Sequence, residues 1–243
     1  MAKYLPVLLE HGANPNLPNA QGQTVLHLLA ERAVREQQER SAIQAPTSPA
    51  ANGTAANGAA AAGGAATHAG GGVGVGGSGG EDLPVGKLLQ LLAEHNLQLD
   101  AQELETANTA LHHAAFGGCI ELAIQLVSLG ASVGLPNKDG FTPLDSSYRS
   151  ADDPTRSLQS VLLSTITKPS SWTPDRVVSA CQNCKLPFNK ADPQRARKHH
   201  CRHCGRCVCA PCSQRRMPIP KFGSASEERV CLLCERVLSV PAS

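Results

Sequence analysis

Aromatic side chains are almost missing from this sequence, seven in 243 residues, and no ladder of exposed rings of the kind that stacks nucleic-acid bases can be drawn from them. A secretory leader is missing as well: Met1 is followed by Ala-Lys-Tyr and an early proline, with no apolar core segment. Between Ser41 and Gly80 there is no Asp, Glu, Lys or Arg, yet this is no membrane span, because Ile43, Val73 and Val75 are its only strongly apolar residues. Catalytic signatures are absent too. There is no glycine-rich phosphate loop followed by lysine, no nucleophile elbow, and no zinc pattern with an open coordination position, so the expectation is a protein that is not an enzyme.

What is present is concentrated at one end. The formal net charge of +2 hides thirteen Lys/Arg against five Asp/Glu from Trp172 onward, and nine against fifteen before it. A basic third beside an acidic remainder implies an anionic partner for the former. Nine of the ten cysteines lie beyond residue 180, mostly in CxxC pairs. In a chain without a leader these read as metal ligands in a reducing compartment, with a disulfide framework as the weaker alternative. Eight thiolates and two Zn²⁺ would reduce the basic surplus to about +4.

The remainder repeats itself. TVLHLLA at Thr24, TALHHAA at Thr109 and TPLDSSY at Thr142 share a pattern, and the last two are 33 residues apart. Their second halves recur as YLPVLLEHGANPN, VGKLLQLLAEHNLQLD and ELAIQLVSLGASV. Leu88, Leu89, Leu91 and Leu92 recur at helical spacing, as do Leu122, Ile124, Leu126 and Val127. Gly12 and Gly130 fall where a helix must end in a left-handed residue, and Asn19–Gly22 and Asn137–Gly140 read as turns. His112 takes a turn-bonding position and His113 is expected to be exposed. On these residues the first 165 positions resemble the ankyrin family. The first repeat lacks its first helix, so the chain reads either as the C-terminal piece of a longer array or as a genuine short product. The Ala/Gly-rich stretch from Ser41 to about Asp82 has almost nothing to bury and is expected to be a disordered insert.

The cysteine spacing specifies more. Cys181/Cys184, Cys201/Cys204, Cys209/Cys212 and Cys231/Cys234 are separated by 16, 4 and 18 residues. Each pair can fill two corners of a tetrahedron. The four-residue gap is too short for the second and third pairs to close around one ion. An interleaved scheme follows, with Cys181, Cys184, Cys209 and Cys212 on one Zn²⁺ and Cys201, Cys204, Cys231 and Cys234 on the other. Cys207 also makes a CxxC with Cys204, so the register could slip; Cys209 is preferred because it keeps four intact pairs. Cys207 and Cys119 then read as small buried apolar residues.

Around this frame stand Trp172-Thr-Pro-Asp175, Arg197-Lys-His-His-Cys-Arg202 and Arg229-Val-Cys231, and together they resemble the FYVE zinc-finger family over about residues 172–238. The implied fold is a mostly α ankyrin-repeat solenoid with its insert, then a small two-zinc finger with short β-hairpins and a C-terminal helix. The implied organisation is ankyrin repeats over 1–40 and 83–165, the insert over 41–82, a linker over 166–171 and the finger over 172–238. That resemblance implies recognition of phosphatidylinositol 3-phosphate, with Arg197, Lys198, His199, His200, Arg202 and Arg229 at the headgroup phosphates and Trp172 and Asp175 orienting the inositol hydroxyls. On physical grounds alone, an arginine fork suits a phosphate monoester carrying close to two charges. The order of modules resembles the rabankyrin type. It implies an endocytic adaptor on the cytosolic face of early endosomes, with a Rab-type small GTPase or another protein on the repeats and a possible finger-mediated homodimer. The loop FNKADPQRA, Phe188 to Ala196, lacks the pair of large apolar residues that would enter a bilayer, so a second membrane contact is expected. A RING-like ubiquitin ligase and a structural finger without lipid binding are the competing readings.

Overall fold

Three threonines open three helices. The computed structural model describes residues 4–44, 83–147 and 158–239. In chain order the helices are α1 (Leu5–Glu10), α2 (Val25–Gln44), α3 (Val85–Ala93), α4 (Ala110–Phe116), α5 (Ile120–Leu129), α6 (Pro143–Ser147), α7 (Leu158–Thr165) and α8 (Leu232–Leu238). Thr24, Thr109 and Thr142 stand directly before α2, α4 and α6. The expected insert lies outside the described residues except for its first four positions, which continue α2 to Gln44.

The local chemistry repeats from layer to layer. The backbone N–H of Thr109 donates to His112 Nδ1 at 3.1 Å, and Thr24 makes the same 3.1 Å bond to His27. The far nitrogen of each ring then reaches the next layer: His27 Nε2 lies 3.1 Å from Asn108 O and His112 Nε2 lies 3.1 Å from Phe141 O. One histidine therefore closes a helix start and ties two layers together. Between layers, Asn19 and Asn137 each accept two backbone N–H bonds through Oδ1 inside the turn, at 2.9 to 3.1 Å. Gly130 ends α5 at φ 114°, in left-handed territory that penalises any side chain.

The layers stack through apolar faces. Leu88, Leu89 and Leu92 of α3 and Leu122, Leu126 and Val127 of α5 are buried, and the cluster continues through Leu158, Leu162 and Leu163 of α7 into the cysteine-rich region. At the opposite end α1 leaves Tyr4, Val7 and Leu8 exposed. The sequence-based expectation that His113 is exposed does not hold. It is half-buried, with Nε2 3.3 Å from the Glu103 carboxylate, because the preceding layer brings Glu103 and the His27 ring against it.

His112 is fully buried, and burial pushes its pKa down from 6.5 to about 4, with the Phe141 carbonyl working in the opposite direction. The folded state therefore binds fewer protons than the unfolded chain between pH 4 and 6.5. The stability it contributes is complete above the unfolded value and is lost as pH falls through the folded one. Roughly 2 kcal/mol should disappear between pH 7 and pH 5 from this group alone. Urea unfolding followed by far-UV circular dichroism should show a flatter pH profile for His112→Gln than for the native chain.

After α7 the chain forms two antiparallel hairpins. Strand β1 (His199–His200) pairs with β2 (Cys207–Val208), and β3 (Arg216–Ile219) pairs with β4 (Ser224–Arg229). Helix α7 packs on α5 on one side and on α8 on the other, so the finger sits against the last helical layer.

Candidate functional site: two thiol clusters and a cationic pocket

The structure gathers the eight cysteines into two groups, Cys181/Cys184/Cys209/Cys212 and Cys201/Cys204/Cys231/Cys234, with sulfurs within 4.8 Å of one another in each. The interleaving arises because the β1–β2 hairpin separates the Cys201/Cys204 loop from the Cys209/Cys212 turn and sends them to opposite ends. Cys184 Sγ is 3.8 Å from Cys209 Sγ, and Cys204 Sγ is 3.9 Å from Cys231 Sγ. Tetrahedral zinc with bonds of about 2.3 Å places its sulfurs about 3.8 Å apart. Backbone N–H groups already point at the sulfurs: Cys209 N–H at Cys181 Sγ and Cys231 N–H at Cys201 Sγ, each at 3.3 Å.

The titration behaviour of the bare thiols fits the same donor set. Neighbouring thiols hold Cys231 well below the ordinary range, while Cys201 and Cys231 push Cys204 up, and burial pushes Cys234 up. Four sulfurs this close cannot all ionise in the absence of a cation, and a dication removes that conflict. Arg206, fully buried, adds a compensating positive charge. Burial disfavours its charged form, but Cys231, Cys204 and Cys234 reverse that. His203 Nδ1 lies 3.1 Å from Cys234 Sγ, with the ring stacked on Phe222 at 5.5 Å. Neither Arg206 nor His203 carries a spacing signal that would assign it a role from sequence. Two Zn²⁺ are the cofactors these donor sets fit.

A cluster of cationic and aromatic side chains lies beside the thiols. Trp172 stacks on His200 with ring centroids 4.9 Å apart and planes 5° apart, and the Arg202 guanidinium lies 4.1 Å from the Trp172 ring centre. His200 Nε2 is 2.9 Å from Thr173 O and 3.3 Å from Asp175 Oδ1. Lys198 Nζ donates to Asp175 O and Val178 O, each at 2.6 Å. Arg202 N–H donates to Arg229 O at 2.8 Å, which joins β4 to the Cys201–Cys204 loop, and Arg229 Nη1 donates to Ser213 O at 2.6 Å. Arg197 is exposed at the rim.

The charges converge with little to neutralise them. Burial, then Arg229, Arg197 and Arg202, push the His199 pKa down, and burial with Arg216 and Arg202 does the same to Arg229. Glu228, 3.8 Å from Arg202, is the carboxylate nearest these guanidiniums among the described ion pairs. Arg216 was not singled out in the sequence. It lies directly across the ladder from Arg229, a pairing that only the hairpin register reveals. Asp175, His200 and Cys207 also come within 4.8 Å of one another, but His200 Nε2 is already engaged by Thr173 O, and Cys207 is a buried thiol pushed up to about 12 by burial and Asp175.

A cysteine finger with two four-thiol clusters, seated on layered helix pairs, is the class this geometry defines. Its matches name the modules: residues 171–240 match the family model "FYVE zinc finger" and residues 107–138 match "Ankyrin repeat". The chain is 34% identical to Rabankyrin-5 of Mus musculus over 142 residues, 58% of this chain and 11% of the relative. It is 35% identical to Rabankyrin-5 of Homo sapiens over 133 residues, 55% of this chain and 10% of the relative. It thus spans about a tenth of the length of these curated relatives. The solution structure of the LM5-1 FYVE domain from Leishmania major is 28% identical, with a TM-score of 0.27, covering 39% of this chain and 96% of that one. No helix among the described residues is long and apolar enough to cross a membrane.

Proposed function

We propose that this chain is a phosphatidylinositol 3-phosphate-binding adaptor of early endosomes, whose finger reads the lipid headgroup and whose ankyrin repeats hold protein partners. The observation that carries the reading is the crowding of Arg197, Arg202 and Arg229 around His199, with Arg216 paired across the ladder from Arg229 and Glu228 the carboxylate nearest Arg202 among the described ion pairs. Such a pocket is destabilised when empty and relieved by a phosphate monoester, which brings nearly two negative charges and three acceptor oxygens. In this reading Cys181, Cys184, Cys209 and Cys212 hold one zinc and Cys201, Cys204, Cys231 and Cys234 the other. Bound zinc fixes the backbones on which Arg202 and Arg229 stand. Arg197, Lys198, His199, His200, Arg202 and Arg229 face the phosphates, while Trp172 and Asp175 meet the inositol ring. Leu186 and Val177 are exposed near the pocket, but the loop from Phe188 to Ala196 is held by its own polar turns, such as Asp192 with Arg195 at 3.4 Å. Headgroup binding without deep insertion is weak on its own, so a second contact, a Rab-type GTPase on the repeats or a finger-mediated dimer, completes recruitment.

Sedimentation with phosphatidylcholine vesicles tests this directly. Vesicles carrying phosphatidylinositol 3-phosphate should retain the chain, and vesicles carrying unphosphorylated phosphatidylinositol should not. Equal retention on both would remove the headgroup reading and leave the structural finger.

A further inference from the structure

The lipid pocket is not built by the finger alone. The carbonyl oxygen of Gly134, in the turn after α5, accepts two hydrogen bonds from the finger: Thr173 Oγ1 at 2.9 Å and Gln182 Nε2 at 2.6 Å. A carbonyl has two lone pairs, and here both are used. Each donor also holds a wall of the pocket. Thr173 stands between Trp172 and Asp175, donates its backbone N–H to Gly205 O at 2.9 Å, and offers its own carbonyl to His200 Nε2 at 2.9 Å. Gln182 lies inside the first cysteine pair, where its Oε1 accepts Cys207 N–H at 2.7 Å and its carbonyl accepts Arg206 Nη2 at 2.5 Å. Thr173, Gln182 and Gly134 are all buried.

Close approach makes residue 134 selective. A Cβ there would lie 2.7 Å from Thr173 Oγ1 and 2.8 Å from Arg206 Cγ. Nearby, Lys185 Nζ pairs with the Asp145 carboxylate of α6 at 2.5 Å, fixing the finger at a second point. We propose that Gly134, in the helical layers, is a positioning residue of the headgroup site: its carbonyl sets where Trp172, Thr173 and Asp175 stand, so lipid recognition requires the docked layer. This rests on the lipid reading above, and the test separates the two.

The full-length chain is used throughout. Trp172 is the single tryptophan, so its fluorescence reports the stack on His200 and Arg202 without interference. Gly134→Ala should weaken retention on phosphatidylinositol 3-phosphate vesicles about tenfold and shift Trp172 emission, with two zinc equivalents still bound. Thr173→Val, which loses the hydroxyl donor, should reproduce both effects, and Thr173→Ser, which keeps it, should restore both. Unchanged affinity and emission in both Gly134→Ala and Thr173→Val would overturn the proposal. So would equal losses in Thr173→Val and Thr173→Ser, the pattern of a merely structural threonine. If the native chain ignores the lipid, the functional reading fails, while the emission shifts and the serine rescue still decide whether Gly134 positions the pocket.

Discussion

Stripping zinc, or replacing Cys231 by serine, should unfold the finger and leave the helical layers standing. The buried aliphatic side chains described in the finger are Val178, Val208, Ile219 and Val230; eight of its nine cysteines share that interior. So few aliphatic groups cannot offset the entropy of ordering the segment, and metal must do so. Structural zinc contributes about 10 to 16 kcal/mol in small fingers, as much as the whole net stability of a typical domain. Cys231→Ser should therefore abolish selective retention on phosphatidylinositol 3-phosphate vesicles and reduce bound zinc from two equivalents toward one. Far-UV circular dichroism should keep most of its helical signal, since α2 to α5 supply most of the buried leucine and alanine side chains of the shared core. Zinc content of two equivalents in the variant would contradict the proposed ligand set.

Arg202→Ala should produce the second largest effect, without unfolding. Its guanidinium lies over Trp172 at 4.1 Å and donates to His200 O at 2.8 Å, so its fork is held in place before any ligand arrives. Removing one charge-assisted interaction costs about 2 kcal/mol, roughly thirtyfold in affinity. Arg202→Lys should recover little, because an ammonium can neither stack flat on the indole nor grip two oxygens at once. Both variants should retain two zinc equivalents. A variant that keeps native affinity together with its zinc would place the phosphate elsewhere in the pocket.

Much of this was legible in the sequence because its signals are local. Four CxxC pairs with a four-residue central gap leave interleaving as the comfortable solution, and the structure brings together those same sulfur sets. The recurring threonine-led segments at Thr24, Thr109 and Thr142 likewise announce the starts of α2, α4 and α6. What escaped detection acts over distance through residues without chemical signatures. Gly134 and Thr173 are 39 positions apart, Gly134 and Gln182 are 48 apart, and a carbonyl carries no side-chain code. Arg216 was missed because its relevance depends on a hairpin register. His113 was judged exposed because helical periodicity cannot see Glu103 arriving from the preceding layer.

Asp145 occupies the position that His27 and His112 hold in the earlier layers. A histidine there reaches forward with its second nitrogen to greet another layer; aspartate has no such arm and instead receives Lys185 from the finger. At this layer the side chain that ties one helical layer to the next ties the layer to the cysteine finger instead. Grafting an extra unit after Gly134 should part its carbonyl from Thr173 and Gln182, and grafting one between α6 and α7 should part Asp145 from Lys185.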